Sequence, residues 1–414
     1  MSETAMRRIA PPLWLLALTV SGVNIGMALL APAIPLLRDD LSASADEAQL
    51  VLSAFLIMLG LGQLVAGSMS DTLGRRPVLL AGSLLFTVAG AAALISPNIE
   101  LLIVARALQG FGASACMAVG RVIINDSFDK TEAGRKLSTI TMIMAIVPML
   151  GFAGGGLVAD IIGWRGTVGI MVITAGVIFL ANMALLAETN HNRVVRAPIL
   201  TVVGVFYLLL RKREFVVHAT SGALLTAAFF ALGGFMPYEF QRLGASATMI
   251  GLLFSITAFG YMSGNNLSRY MGSQLGLERT VFIGGMVSLA AVVMLLTLYL
   301  AGLAAALVIA GCLYFFGVAN GLVVAKPIKC AVRAAGPNSG AATGLCGAMQ
   351  MIGSAGFGSL IIALAGTRIS FSPLALSFLC PGWPRWLHGW VRACLPDAFL
   401  ATGCGNQNCR QPRD

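Results

Sequence analysis

The stretch GSMSDTLGRRPVLL, residues Gly67 to Leu80, forms a short charged turn between two long apolar runs. The whole chain is 57% hydrophobic and only 11% charged, whereas soluble domains carry roughly 25% charged residues. This composition is that of a membrane protein. In such a chain the few charged residues are expected at helix ends or at functional sites.

Eleven apolar runs each reach about twenty residues, the length that a helix rising roughly 1.5 Å per residue needs to cross a bilayer. They are residues 12–37, 47–70, 77–96, 100–124, 137–160, 166–187, 215–238, 248–268, 280–300, 304–325 and 339–366. Backbone amides in hydrocarbon must be satisfied within each segment, so the predicted fold class is an all-α polytopic membrane protein. The first run is too long for a signal peptide, and we predict an uncleaved first span.

The basic residues of the connections predict the orientation. With the N-terminus in the cytoplasm, the inner connections hold seventeen Lys and Arg residues and the outer ones only four. This is a strong positive-inside bias. The net charge of +10 is explained by topology and by contact with the lipid bilayer, and it requires no nucleic acid as a partner.

The most polar internal stretch, residues 188–214, follows the sixth apolar run and lies near the middle of the 414 residues. We therefore predict an N-terminal six-helix half over 1–187, a cytoplasmic connector over 188–214 and a C-terminal half over 215–377. Such paired halves commonly enclose a central cavity.

Three motifs resemble a known family. The turn Gly67–Arg76 resembles the signature between the second and third helices of the major facilitator superfamily, and RALQGFG, residues 106–112, resembles the fourth-helix signature of its proton-coupled drug antiporters. PMLGFAGGG, residues 148–156, resembles their fifth-helix antiporter signature. Over about residues 10–370 the chain is similar to the Bcr/CflA-type exporters of bicyclomycin and chloramphenicol. The resemblance implies a multi-pass drug:proton antiporter of the bacterial inner membrane.

The charged turn is a candidate gate. Gly67 and Gly74 are expected to allow a close approach and a sharp turn, and an aspartate can pair with a nearby arginine or face the positive end of a helix. Such a latch would hold the cytoplasmic face shut in one state and break in the other. The candidate gating residues are Gly67, Asp71, Gly74, Arg75 and Arg76.

The fourth span carries the candidate coupling residues. Arg106 lies inside the span, where an arginine costs roughly 2.5–3.5 kcal/mol, so we expect it to face a cavity or a partner unless its side chain snorkels to the surface. Gln109 and Gly110 share its helical face. The resemblance implies proton coupling at Arg106. Nearer the cytoplasmic end, Arg121 is expected to snorkel or to pair with Asp126.

The fifth span is predicted to bend at Pro148, because proline removes a backbone hydrogen bond. Gly151, Gly154 and Gly155 then allow close packing on a partner helix. Related exporters usually carry Gly-Pro where this chain has Gly151-Phe152, which makes the expected bend milder.

The membrane core offers no evident carboxylate for proton transfer. Related exporters often carry an acid in the first helix where this chain has Ala28. Asp71, Glu239 and a water network at Arg106 stay open as coupling groups. A cation in such a cavity would lack a counter-ion, which favours neutral amphiphiles such as phenicols. The candidate cavity residues are Asn24, Met27, Met58, Met142 and Glu239.

No catalytic constellation, metal-ligand spacing or nucleotide loop is visible, so we expect a transporter without cofactors, acting as a monomer, and no enzyme. A metabolite or sugar carrier of the same superfamily and a transport-defective truncated product stay as alternatives. Residues 378–414 change character abruptly, with Pro381 and Pro384 interrupting a short twelfth apolar run at 369–382. We interpret this tail as the product of a reading-frame shift, since its cysteine spacing does not fit a zinc site.

Overall fold

The structure, a computed structural model, describes residues 10–190, 199–275, 277–323, 330–331, 333–336 and 339–366. Within these ranges all regular secondary structure is helical, which confirms the all-α prediction. The predicted tail at 378–414 and the interrupted run at 369–382 lie outside the described residues.

The main helices follow the predicted runs. In chain order they are α1 (Leu13–Ala28), α2 (Ile34–Asp40), α3 (Ala45–Leu73), α4 (Arg75–Leu94), α5 (Ile99–Ser127), α6 (Lys130–Ile162), α7 (Trp164–Leu185), α8 (Ile199–Arg211), α9 (Arg213–Arg242), α10 (Ala247–Gln274), α11 (Leu277–Leu300), α12 (Ala306–Val323) and α13 (Ser339–Gly366). Ten stretches of the described chain are long and apolar enough to cross a membrane. Together with α13, every predicted span falls on a helix.

The first span is interrupted by its two prolines. α1 ends at Ala28, a short 3-10 turn covers Ala31–Ala33, and α2 begins at Ile34. Pro32 and Pro35 each lie in the first turn of the element that they start, where a missing N–H leaves no hydrogen bond unmade. The interruption lies at the end of the bundle that we predict to face outward.

The predicted connector contains a helix that the sequence pattern did not indicate. Within residues 188–214, α8 forms over the apolar segment ILTVVGVFYLLL. Leu209 is fully buried against Phe215 and Leu345, while Tyr207 is 60% exposed. The basic residues around α8 made this stretch look like a polar linker, although its apolar face packs on α9 and α13.

Close helix packing depends on glycine at the crossing of α10 and α12. A Cβ on Gly260 would collide with the carbonyl oxygen of Tyr314, and one on Gly264 with that of Val318. On the facing helix, a Cβ on Gly317 would collide with the carbonyl oxygen of Thr257, and one on Gly321 with that of Tyr261. Small residues let helices approach in lipid, where dispersion contacts replace the hydrophobic effect.

Candidate functional site

The charged turn joins α3 to α4 through Gly74. This glycine has φ 107° and ψ 155°, a conformation that side-chain-bearing residues rarely adopt, and it reverses the chain within one residue. A Cβ on Gly67 would meet nothing within 4 Å. The expected close approach is therefore not seen at Gly67, whereas the expected sharp turn is seen at Gly74.

Arg75 is the centre of an ionic network at this turn. It is only 8% exposed, and its Nη1 donates to Asp71 Oδ1 at 2.5 Å and to Ser70 Oγ at 2.7 Å. Its Nε donates to Asp126 Oδ2 at 2.9 Å. One buried guanidinium thus holds two carboxylates from α3 and α5, the arrangement in which arginine is most effective.

Arg121 was expected to snorkel or to pair with Asp126, and the structure shows Asp126 paired with Arg75. Arg121 is half-buried, with Nη2 3.9 Å from the sulfur of Met144. Arg76, the other arginine of the turn, donates from Nη2 to the carbonyl of Met183 on α7.

Glu188 completes the network and was missed from the sequence. Its carboxylate accepts the backbone N–H of Arg75 at 2.9 Å and of Arg76 at 3.3 Å, as well as those of Thr189 and Asn190. Burial raises the pKa of Glu188, but these backbone donors lower it by more, so the pKa lies below its usual value. The side chain of Asn190 donates to the carbonyls of Ser70 and Asp71.

Arg106 is fully enclosed, with 0% exposure, so its side chain does not snorkel to the surface. Nη1 donates to Gln109 Oε1 at 2.5 Å, and the guanidinium carbon lies 4.3 Å from the centre of the Phe55 ring. Gly110 lets the α3 backbone at Phe55 come this close. Nε and Nη2 of Arg106 have no hydrogen-bond partner among the described residues, which costs about 1–3 kcal/mol per polar group and more for a charge.

α6 continues as one helix through Pro148 from Lys130 to Ile162. A Cβ on Gly151 would lie 2.7 Å from that of Ala28, and one on Gly155 would collide with the carbonyl of Leu29. Gly154 has nothing within 4 Å of such an atom. Two of the three predicted glycines therefore pack α6 against the end of α1, and the third does not.

An apolar cavity lies where seven of the helices meet. Its phenylalanines come from α6, α9, α10 and α12, and they are Phe152, Phe229, Phe230, Phe254 and Phe316. Two polar groups in its wall, Gln49 Oε1 and Thr257 Oγ1, have no hydrogen-bond partner among the described residues. Among the described residues, no ionisable side chain lines it.

Of the five predicted cavity residues, only Met27 lines this cavity. Asn24 and Met58 are half-buried elsewhere, and Met142 is 41% exposed. Glu239 is paired with Arg242, whose Nη2 lies 2.5 Å from Glu239 Oε1.

Comparison with known proteins identifies the family. Residues 16–357 match the family model of the Major Facilitator Superfamily. The chain belongs to this superfamily. It is 30% identical over 371 residues to an uncharacterized MFS-type transporter, YdgK, of Bacillus subtilis strain 168, covering 88% of this chain and 90% of that one. The resemblance noted from the motifs is thereby confirmed, and the protein is a membrane transporter and not an enzyme.

Two further proteins that are similar to this chain have names that refer to drug resistance. Multidrug resistance protein D of Escherichia coli K12 is 29% identical over 244 residues, which is 58% of this chain and 61% of that protein. A chloramphenicol resistance protein of Pseudomonas aeruginosa is 37% identical over 147 residues, 34% of each chain. A crystal structure of a D-xylose-proton symporter matches with a TM-score of 0.71 at 16% identity, over 91% of this chain and 97% of that one, which shows the fold alone.

In this superfamily fold, the end of the bundle opposite Asp71 is closed by contacts between early and late helices. Asp160 at the end of α6 accepts the N–H of Ala247 at 3.1 Å and of Thr248 at 2.7 Å, at the start of α10. Ser53 of α3 reaches Ser359 of α13 at 3.1 Å. We call the four residues Asp160, Ala247, Ser53 and Ser359 the Asp160 seal.

Proposed function

We propose that the protein exports drugs across the bacterial inner membrane in exchange for protons, with its N-terminus in the cytoplasm and one chain forming the whole substrate path. The observation that carries this proposal is Arg106. Its charge is fully buried, and two of its three nitrogens lack an acceptor among the described residues. A buried charge with so few acceptors in one conformation is expected to gain acceptors in another. Proton binding can be coupled to a conformational change when the contacts of a charged group differ between the two conformations.

The acids that can carry the proton are Asp71 and Glu239. Asp71 is paired with Arg75, and Glu239 is 7% exposed and paired with Arg242. Each carboxylate is held by an arginine, so a conformational change that separates the pair changes the surroundings of the acid. Glu239→Gln distinguishes them: if this variant moves drug without responding to the proton gradient, Glu239 carries the proton, and if the response to the gradient stays, Asp71 carries it.

The proposed substrates are neutral amphiphiles such as phenicols. The cavity is walled by phenylalanine and aliphatic side chains and offers no counter-ion to a cation. A sugar carries many hydroxyl groups, each of which would need a polar partner on burial, and this wall provides few. The names of the drug-resistance relatives support the same choice.

Expression in a pump-deficient bacterium with a panel of antibiotics tests the function, with and without an uncoupler. The wild-type protein is expected to raise resistance to phenicols, and the uncoupler to abolish drug extrusion. No change in resistance to any drug of the panel would contradict export, and extrusion that persists with the uncoupler would contradict proton coupling.

Two substitutions test Arg106 itself. Arg106→Ala is expected to remove gradient-driven drug extrusion, because both the charge and its contact with Gln109 are lost. Arg106→Lys keeps the charge but not the planar group that lies over the Phe55 ring, so partial function is expected. Export by Arg106→Ala at the wild-type rate, at equal membrane levels, would show that the buried charge is dispensable.

A further inference from the structure

We propose that Gln49 and Thr257 form a hydrogen-bonding subsite that selects neutral aromatic substrates carrying a hydroxyl or N–H donor. This inference rests on the proposed drug export and specifies its substrate class. The two side chains come from α3 and α10, so a molecule held by both would bridge the early and the late helices of the chain.

Both polar groups are buried without a partner. Gln49 is 4% exposed and Thr257 is 5% exposed. Gln49 Oε1 and Thr257 Oγ1 make no hydrogen bond with any described residue, and both side chains line the same cavity. Buried polar atoms are nearly always paired, so two unpaired ones in a single cavity wall point to a bound partner.

The position of the Gln49 amide is fixed by α9. A Cβ on Gly234 would collide with Gln49 Oε1 and would lie 2.7 Å from Nε2. The adjacent Gly233 lines the cavity. The absence of a side chain at Gly234 therefore makes room for a buried amide at this point.

The chemistry of the two groups specifies the ligand. An amide oxygen only accepts hydrogen bonds, whereas a threonine hydroxyl both donates and accepts. The ligand must therefore present a donor to Gln49, and it can present a donor or an acceptor to Thr257. A single hydroxyl or amide N–H beside an acceptor atom meets both requirements.

The rest of the wall specifies an aromatic and uncharged body. Phe152 and Phe254 lie with ring centres 5.3 Å apart, and Phe229 and Phe230 meet edge to face at 5.8 Å. Phe316 adds a fifth ring. Flat aromatic groups pack well on such faces. A cation would gain some attraction from the rings, but it would lose its hydration with no carboxylate in the wall.

The experiment measures binding to the purified full-length protein in lipid nanodiscs. The probes are thiamphenicol, a neutral aromatic with hydroxyl and N–H donors, and the tetraphenylphosphonium cation. Gln49→Leu and Thr257→Val remove the two polar groups at nearly constant volume. Thr257→Ser restores the hydroxyl, and Thr226→Val is the control, because Thr226 bonds to Gly222 of its own helix and does not line the cavity.

We expect Gln49→Leu and Thr257→Val each to weaken thiamphenicol binding by about tenfold, the effect of one lost hydrogen bond in a buried site. Thr257→Ser and Thr226→Val should stay within about threefold of the wild type. Unchanged thiamphenicol affinity in both Gln49→Leu and Thr257→Val would overturn the subsite. So would a wild-type protein that fails to bind thiamphenicol or binds tetraphenylphosphonium more tightly.

Resistance assays on the same variants separate this inference from the proposed function. If wild-type cells resist phenicols while Gln49→Leu and Thr257→Val bind and export normally, the subsite is wrong and export stands. If wild-type cells gain no resistance while both variants lose thiamphenicol binding, the subsite stands and export is wrong.

Discussion

The two ends of the bundle are held by different kinds of contact. At the Asp71 end, Arg75, Asp71, Asp126 and Glu188 form an ionic network, and all four lie within the first 188 residues. At the opposite end, the Asp160 seal joins α6 to α10 and α3 to α13 by hydrogen bonds between early and late helices. The charged network joins early helices to one another, whereas the seal joins early helices to late ones.

This difference indicates which contacts must change during transport. Opening the bundle at the Asp160 end requires the seal to break, because its contacts join helices that would have to separate. The ionic network need not break for that movement, since its members lie on neighbouring helices and on residues 188–190. In the proposed orientation, the structure is closed on the outside.

The largest effect is expected from the ionic network. Asp71→Asn removes one of the two negative charges on Arg75 and should abolish export while the protein stays in the membrane. Arg75→Lys should do the same, because an ammonium cannot reproduce the separate Nε and Nη1 contacts. Drug efflux measured at equal membrane levels checks both.

Glu132→Gln provides a matched control for these variants. Glu132 also forms an i,i+4 ion pair, with Lys136, but Lys136 is more exposed than Arg75, at 23% against 9%, and it forms no second ion pair with the described residues. Export should be unchanged, since exposed pairs of this kind contribute little. If the Asp71→Asn protein exports drug as well as the Glu132→Gln protein does, Asp71 has no gating role.

A smaller effect is expected at the seal. Asp160→Ala removes the acceptor for the first N–H groups of α10, and a carboxylate at a helix N-terminus contributes about 0.3–1 kcal/mol, or up to about 2 when partly buried. The population of the outward-open form should rise by about two- to thirtyfold. Hydrogen exchange at Ala247 and Thr248 should accelerate to match, while Asp40→Ala, near the same end but bonded to Trp164 and Arg165 among the early helices, serves as a control. Unchanged exchange would show that Asp160 does not hold the seal.

The smallest effect is expected at Glu188, and it depends on pH. Its lowered pKa means that the carboxylate stabilises the folded protein fully above the ordinary value of 4.5, and that this contribution disappears as the pH falls through the lower native pKa. Glu188→Gln should therefore lower the stability of the protein near neutral pH by about 0.5–2 kcal/mol, as loss of a helix cap does. Thermal unfolding across pH should show the difference from wild type shrinking in acid; a constant difference would contradict the assignment.

The spans and the charged turn could be predicted from the sequence because their signals are local. Run length and hydropathy indicate each helix, and Asp71 and Arg75 lie one helical turn apart. Glu188 could not be predicted in this way, since its partners are backbone N–H groups 112 and 113 residues away. The pairing of Asp126 with Arg75 could not be predicted either, because the fold brings Arg75 to Asp126 from another helix.

The cavity was predicted least well, for a related reason. In an apolar span, both the lipid-facing side and the inward side are hydrophobic, so periodicity does not identify the face that lines a cavity. Methionines were chosen for their adaptability, and only Met27 lines the cavity. Gln49 and Thr257 were passed over because each is a single uncharged polar residue in an apolar run, and only the assembled helices show that neither polar group has a partner.

Transport by the purified protein in liposomes tests the central claim most directly. With an acidic lumen and no other energy source, outward proton movement should drive thiamphenicol into the lumen above its outside concentration, and a proton ionophore should release it. The Arg106→Ala protein should show only equilibration. Accumulation that is independent of the pH difference, or that occurs only when the gradient is reversed, would contradict drug:proton antiport.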